Sequence, residues 1–469
     1  MKKKIALLLG TILLMTCVGG CRQNDTASRG ADCTLPDYDA KIDELSISIG
    51  GWVVPNNLTE EQYLYMKESG IDTFFFAEAG TSCHYININA ITEQDKQVLA
   101  KMEEYGLDAI LHVGAKTNEK LVNINNASTY NAIKGICYDE PNKSQIDEIK
   151  TCLDIVNQNE GDKTLFTNLY PSSVNHKRSG FFQYKNYLRY YCDEILSNLT
   201  VGEKWLSTDR YPLTFDRKGE PVLDDGWLQD LEALATVRKE YPNVKTNFFI
   251  QTMPYGGEER PAGMKGSRDR TPSYEDVRLQ EYTVMAFGFD RISCFCYGSP
   301  GVYSEFTEKQ VAMIDREGNR TPLYYNVSKV NNEIKAFDHV LKQFSWEGVF
   351  TNDGGETTKR KDIAQKKLFK KLKNRMSIKK TDGLEKVSST EDTLFGYFVD
   401  FEGNTGFMVV NCNDSSLKLT DEVTMTFEET CGYQKALCYV GGEKKTMDII
   451  NNALTLTLGV GEGVFVIPY

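Results

Sequence analysis

Histidine is scarce in this chain. There are four in 469 residues, and none stands at metal-ligand spacing. No metal centre is expected from the sequence, and no motif calls for a cofactor. Long apolar runs are missing after Met15. No later segment reaches ~18 uninterrupted apolar residues, so no later helix is expected to cross a membrane. Surplus positive charge is missing too: the formal net charge is −12, which argues against nucleic acid as a partner. The twelve cysteines are scattered rather than paired, and a chain of this length buries a large core without a disulfide framework. Cys294 and Cys296 lie inside an apolar strand and read as core filler. Only Cys431 and Cys438 are placed for a local disulfide. No internal repeat is visible beyond an alternation of strands and helices.

What is present begins with a targeting signal. Lys2, Lys3 and Lys4 form a basic start, Ile5 to Met15 an apolar stretch, and Val18-Gly19-Gly20-Cys21 follows. This resembles a bacterial lipobox, and Gly20 before Cys21 fits it better than Thr16 before Cys17. The resemblance implies removal of residues 1–20, a lipid on Cys21, and anchorage at the bacterial cell membrane or surface. Loss of the three lysines takes the net charge from −12 to −15. Residues 21–43 are polar and read as a tether.

From Ile47 onward, apolar β-type runs are expected at 46–54, 71–77, 107–113, 133–138, 163–169, 204–208, 244–251 and 291–297. Amphipathic helices are expected between them at 59–69, 92–105, 118–131, 144–158, 181–198, 227–241, 273–288 and 321–343. Runs such as Thr73-Phe74-Phe75-Phe76 are apolar on both faces, as in a parallel sheet covered by helices. Eight strand–helix units predict an α/β fold, a (β/α)8 TIM barrel over residues 44–345. Residues 346–392 read as a basic linker: 359–380 hold eleven Lys/Arg and one acid. This run fits a solvated linker helix, or a contact with anionic lipid or polymer. Period-2 runs at 394–400, 406–411, 417–427, 435–440, 453–458 and 464–467 predict a small antiparallel β-sandwich over 393–469.

The most telling stretch is Gly135-Ile136-Cys137-Tyr138-Asp139-Glu140-Pro141-Asn142. An apolar strand stops in two adjacent carboxylates and a proline, which cannot continue the ladder. In a (β/α)8 barrel such strand ends face the mouth. The corresponding positions around the ring are Trp52, Glu78, His112, Asp139, Glu140, Asn168, Tyr170, Asp209, Tyr211, Gln251 and Tyr297. Aromatic faces stack on sugar rings, and amides and acids bond hydroxyls, so this mix suits a carbohydrate. Each residue also has a plainer role open to it. Trp52 fits rim packing, Glu78 a salt bridge, His112 a hydrogen-bonded wall, and Asn168 and Tyr170 loop caps.

The Tyr-Asp-Glu-Pro strand end, Arg278 to Phe289 running into Ile292 to Tyr297, Asp315 to Tyr325 leading to Val330 to Ile334, and the tail Leu458 to Phe465 together carry a family resemblance. They are similar to bacterial β-galactosidase-like glycoside hydrolases with a barrel and a C-terminal sandwich. The resemblance spans most of residues 45–469. It implies glycosidic hydrolysis with Glu140 as general acid/base, since the clan's acid/base is a glutamate ending strand 4. Asp139 stands where the clan usually has asparagine. The clan's nucleophile is a glutamate ending strand 7, and here Gln251 occupies that place and cannot attack. Three readings stay open. Asp209 is the second carboxylate, or Asp139 orients a substrate acetamide for Glu140, or the mouth binds glycan without cleaving it. The expected function is a cell-surface glycoside hydrolase acting on a poly- or oligosaccharide. The alternative is a non-catalytic carbohydrate-binding lipoprotein.

Overall fold

The computed structural model describes residues 35–38, 45–113, 124–158, 162–216, 219–224, 226–255, 268–302, 306–354 and 369–469. The signal, Cys21, nearly all of the tether, the first part of the third expected helix and residues 359–368 of the basic run lie outside them.

Eight parallel strands close into a barrel: β1 (Ser48–Trp52), β2 (Thr73–Phe76), β3 (Asp108–His112), β4 (Ile133–Asp139), β5 (Thr164–Leu169), β6 (Lys204–Asp209), β7 (Val244–Gln251) and β8 (Arg291–Phe295). Closure pairs Ser48 with Arg291 and Gly51 with Cys294. The predicted TIM barrel is therefore the observed one. Alternate residues point into it, where Phe75, Ile110, Cys137, Phe166, Trp205 and Phe249 form a packed interior under Trp52. Phe75 meets Phe166 at 5.1 Å and Phe249 at 5.5 Å. The interior is thus a filled core rather than a pore.

The covering helices start where their caps say. Thr92 with Asp95, Asn142 with Gln145, and Ser273 with Asp276 each form a capping box. Asn142 is the useful case: the acids that end β4 are followed at once by the N-cap of helix Lys143–Thr151. The strand stop and the helix start are therefore one motif. Several expected helices are shorter or broken. The described part of the third is one turn, Ile124–Ala127. The fourth breaks at Cys152, the fifth ends in a π-turn over Cys192–Leu196, and the last breaks at Phe337.

Among the described residues the C-terminal sandwich has nine strands. They are β9 (Phe344–Asn352), β10 (Leu384–Ser389), β11 (Thr393–Asp400), β12 (Thr405–Asn411), β13 (Asp421–Phe427), β14 (Lys435–Val440), β15 (Glu443–Asp448), β16 (Ala453–Leu458) and β17 (Gly463–Pro468). One sheet runs β9-β11-β12-β17-β14-β15 and the other β10-β13-β16. β9 and β10 lie in the stretch expected as a linker, and in the described part of the basic run 3-10 turns (Phe369–Lys371, Ile378–Lys380) stand where a helix was expected. Cys431 and Cys438 are both free thiols, so the expected disulfide is absent. Cys438 instead fills the sandwich core. The sandwich docks on helix Tyr274–Ala286. Gly396 lies so close that a Cβ there would come within 2.2 Å of the Ala286 carbonyl oxygen, which explains the glycine.

Candidate active site

An open cavity of about 470 Å³ lies over the carboxyl ends of the strands. Its walls differ in chemistry. Glu78, His112, Asp139, Glu140, Asn168 and Asp209 line one side, and Tyr211, Tyr255, Phe295 and Phe306 the other, with Trp52 and Phe249 beneath. Tyr211 stacks on Phe295 at 5.0 Å, and Tyr255 packs edge-on against Phe295 at 5.6 Å. A ligand here meets hydrogen-bonding groups on one face and ring faces on the other, which is how a pyranose divides its own surface.

The polar wall is organised around Asn168. Its Nδ2 donates to Asp139 Oδ1 at 3.3 Å and to Asp209 Oδ1 at 3.1 Å. Those two carboxylate oxygens are therefore no further apart than the sum of the distances, 6.4 Å. Which way the amide faces is set from below. Ser293 Oγ donates to Asn247 Oδ1 at 2.6 Å, Asn247 Nδ2 to Ser207 Oγ at 2.8 Å, and Ser207 Oγ to Asn168 Oδ1 at 2.9 Å. The oxygen of Asn168 is thus occupied, and its NH2 group must point at the two acids. This chain crosses β8, β7, β6 and β5 through the buried barrel interior, where every member needs its partner. Burial raises the Asp209 carboxyl above its usual range, while hydrogen bonds from Asn168 and Tyr211 and the Arg210 charge pull it back.

Glu140 sits differently from Asp139. Its backbone is left-handed (φ 49°) and its N–H donates to the Asn168 carbonyl at 2.8 Å. This turn swings its carboxylate to the rim, where Arg178 Nη2 lies 3.3 Å away. Arg178 in turn donates through Nε to the Tyr170 hydroxyl at 3.0 Å and lies 4.8 Å over that ring. Arg210, also on the wall, is held by Asp224 at 2.6 and 3.0 Å and reaches buried Asp230 at 3.3 Å.

The cavity brings together Trp52, Glu78, His112, Asp139, Glu140, Asn168, Asp209 and Tyr211 of the expected positions. Three others lie elsewhere. Tyr170 is buried beneath Arg178. Tyr297 is fully buried against Phe74 at 5.1 Å, in a different core cluster from the residues under Trp52. Gln251 is fully buried too, and its side-chain amide is bonded to the backbone of Leu213 and Arg270. Cys21 lies outside the described residues. Sequence reasoning missed Tyr255, Phe295 and Phe306 on the aromatic wall and Ser207, Asn247 and Ser293 below Asn168. Strand parity could have found Phe295, which faces the same side as Ser293. Among the described residues, no three His, Cys, Asp or Glu side chains are grouped to hold a metal.

No family model matches the chain, and no curated protein does. Solved structures do. Gan42B, a GH42 β-galactosidase from G. stearothermophilus, aligns with TM-score 0.54 at 8% identity, over 90% of this chain and 98% of that one. A catalytic mutant of the same enzyme gives 0.53 at 9% identity with the same coverage. A family 39 glycoside hydrolase from Bacteroides cellulosilyticus WH2 gives 0.49 at 10% identity, over 91% of this chain and 82% of that one. At such identities the likeness is one of fold: a TIM barrel with an attached β-domain.

Proposed function

We propose that this chain hydrolyses glycosidic bonds in a poly- or oligosaccharide at the bacterial cell surface, held there by a lipid on Cys21. The observation that carries the chemistry is the single Asn168 amide shared by Asp139 and Asp209. Glycosidic cleavage needs two carboxyl groups, one to donate a proton and one to attack or to activate water. Asp209, with its carboxyl raised by burial, is the proton donor. Asp209 thereby takes the acid/base role that the family resemblance gives to Glu140, and Asp139 is the partner carboxylate.

A 6.4 Å ceiling on the oxygen separation falls short of the ~6.5–9.5 Å that leaves room for an inverting water. The closer spacing is the one a retaining mechanism uses, and it supports that reading. Asp209 gives its proton to the glycosidic oxygen as that C–O bond breaks, and an Asp139 oxygen bonds to the anomeric carbon. Water then attacks that carbon, returns its proton to Asp209 and releases Asp139. Glu140 and Arg178 bind the sugar beyond the cleaved bond.

The test is reducing-end release from a glycan panel by the parent and three variants. Asp139→Asn and Asp209→Asn are expected to lose about 10³-fold or more in kcat, and Glu140→Gln about tenfold or less, mostly in KM. Loss through Glu140→Gln equal to that of the aspartate variants would return the acid/base role to Glu140. Binding of glycan with no released ends would make the mouth a binding site only. The anchor is tested separately: Cys21→Ser is expected to move the chain from the membrane fraction to the soluble one.

A further inference from the structure

We propose that Gln251 and Gln280 are positioning residues, two rungs of a buried amide ladder that fixes the loop carrying Asp209 and Tyr211. Gln280, on helix Tyr274–Ala286, accepts from the Gln251 backbone N–H through Oε1 at 2.9 Å and donates to the Gln251 carbonyl through Nε2 at 3.1 Å. Gln251 repeats the pattern one layer on. Its Oε1 accepts from the Leu213 N–H at 3.0 Å, and its Nε2 donates to the carbonyls of Leu213 at 3.4 Å and Arg270 at 2.9 Å. Each side-chain amide takes the place of a peptide unit in a β-bridge.

Only a group with a donor and an acceptor on one planar end can do this. A carboxylate has two acceptors and would face the Arg270 carbonyl oxygen with no proton between them. Both side chains are buried (0% and 1% exposed), so no water can stand in for a lost rung. Leu213 lies two residues beyond Tyr211 and four beyond Asp209, close enough for its position to set theirs. The ladder also reaches the second domain. Arg270, whose carbonyl takes the last rung, bonds Asp276 on the same helix and, at 2.9 Å, Asp414 of the sandwich. The sandwich is thereby tied to the loop that carries the proton donor. The catalytic half of this inference rests on the role of Asp209 given above; the structural half does not.

The decisive variant is Gln251→Glu in the full chain. At pH 8 the new carboxylate cannot donate. At pH 5 a protonated acid has both a carbonyl and an O–H and restores the rung. Two readouts follow: amide hydrogen exchange of residues 205–216 and 268–272, and kcat and KM against pH. Expected at pH 8 is exchange about tenfold faster in those two segments with β1–β4 unchanged, and kcat down about tenfold or more with KM nearly constant, the size of one lost buried hydrogen bond. Both defects are expected to shrink at pH 5. Gln280→Met, which removes the first rung with an apolar side chain of similar length, is expected to open the same segments at both pH values. Wild-type exchange in 205–216 for either variant overturns the ladder, and so does a defect in Gln251→Glu that is the same at pH 5 and pH 8. If the parent cleaves no glycan, the role of Asp209 falls and the exchange data alone still decide the ladder.

Discussion

Replacing Asn168 with leucine removes an amide that bonds both Asp139 and Asp209 and keeps the size of the side chain. Two charges about 6.4 Å apart repel by about 2.6 kcal/mol at an effective dielectric of 20, a figure that solvent lowers because Asp139 is exposed. The Asn168 amide offsets this with two hydrogen bonds to charged acceptors, worth roughly 1.5–3 kcal/mol each. Without it Asp209 keeps its proton to a still higher pH. The direction of the stability change follows. Asp209 already has a raised carboxyl in the folded protein. The stability it costs is absent below the unfolded value near 3.9 and grows as pH rises through the folded value. Asn168→Leu extends that rise upward. Near pH 4 the variant is expected to lose only the Ser207 bond, about 1 kcal/mol. At pH 8 the loss is expected to reach about 3–5 kcal/mol. Urea unfolding followed by tryptophan fluorescence at pH 4.5, 6 and 7.5 reads the difference. The alkaline limb of the pH–rate profile is expected to move up by about one to two units. A loss of stability equal at all three pH values would refute the claim that the amide screens two acids.

Glu281 supplies a second pH test away from the mouth. It is fully buried on helix Tyr274–Ala286, neither carboxyl oxygen has a hydrogen-bond partner, and burial with the nearby Glu333 charge pushes its carboxyl well up. A raised acid costs stability as pH climbs above its unfolded value, so Glu281→Gln is expected to raise the melting temperature at pH 8 and leave it nearly unchanged at pH 4.5. An equal gain at both pH values would count against this. Trp52 tests whether a ring at the mouth serves packing or substrate. It lies 5.3 Å from Phe75 and 5.5 Å from Phe249, with 8% exposed. Trp52→Ala is therefore expected to lower stability by about 3–5 kcal/mol, measured by denaturant midpoint. A folded variant of parental stability with only a raised KM would make it a pure sugar platform.

The barrel was legible because each of its strands carries its evidence locally. Thr73–Phe76 is apolar on both faces, and Gly70 and Gly106 close the helices beside it. The sandwich was less so. A bulge between Trp346 and Gly348 breaks the alternation that would have marked β9, and β15 is an exposed edge strand whose lysines carry no apolar signal. The acids at the mouth could be read from the stop at Asp139-Glu140-Pro141, but their different surroundings could not. What separates Asp139 from Glu140 is the left-handed backbone at Glu140 and the Asn168 amide. That amide is oriented by Ser207, Asn247 and Ser293, on three other strands. A polar serine or asparagine inside an apolar run looks like a weak strand residue until the barrel closes and makes it a partner.

Gln251 then takes on a different meaning. Seen as a missing nucleophile, it argues for lost activity. Seen in place, it is buried outside the cavity lining and satisfies three backbone groups that a glutamate could not. An acid there would be buried among carbonyl oxygens rather than presented to a sugar. Gln251→Glu is therefore expected to add no carboxylate to the cavity, and the proposed chemistry calls on Asp139 and Asp209 instead. The carboxylates that share a proton-donating amide end strands β4 and β6, and the strand between them, β5, supplies the amide itself. A barrel whose strand 7 has been given to holding a loop can still place two acids within reach of one bond. The condition is that strand ends one strand apart, rather than across the barrel, carry them.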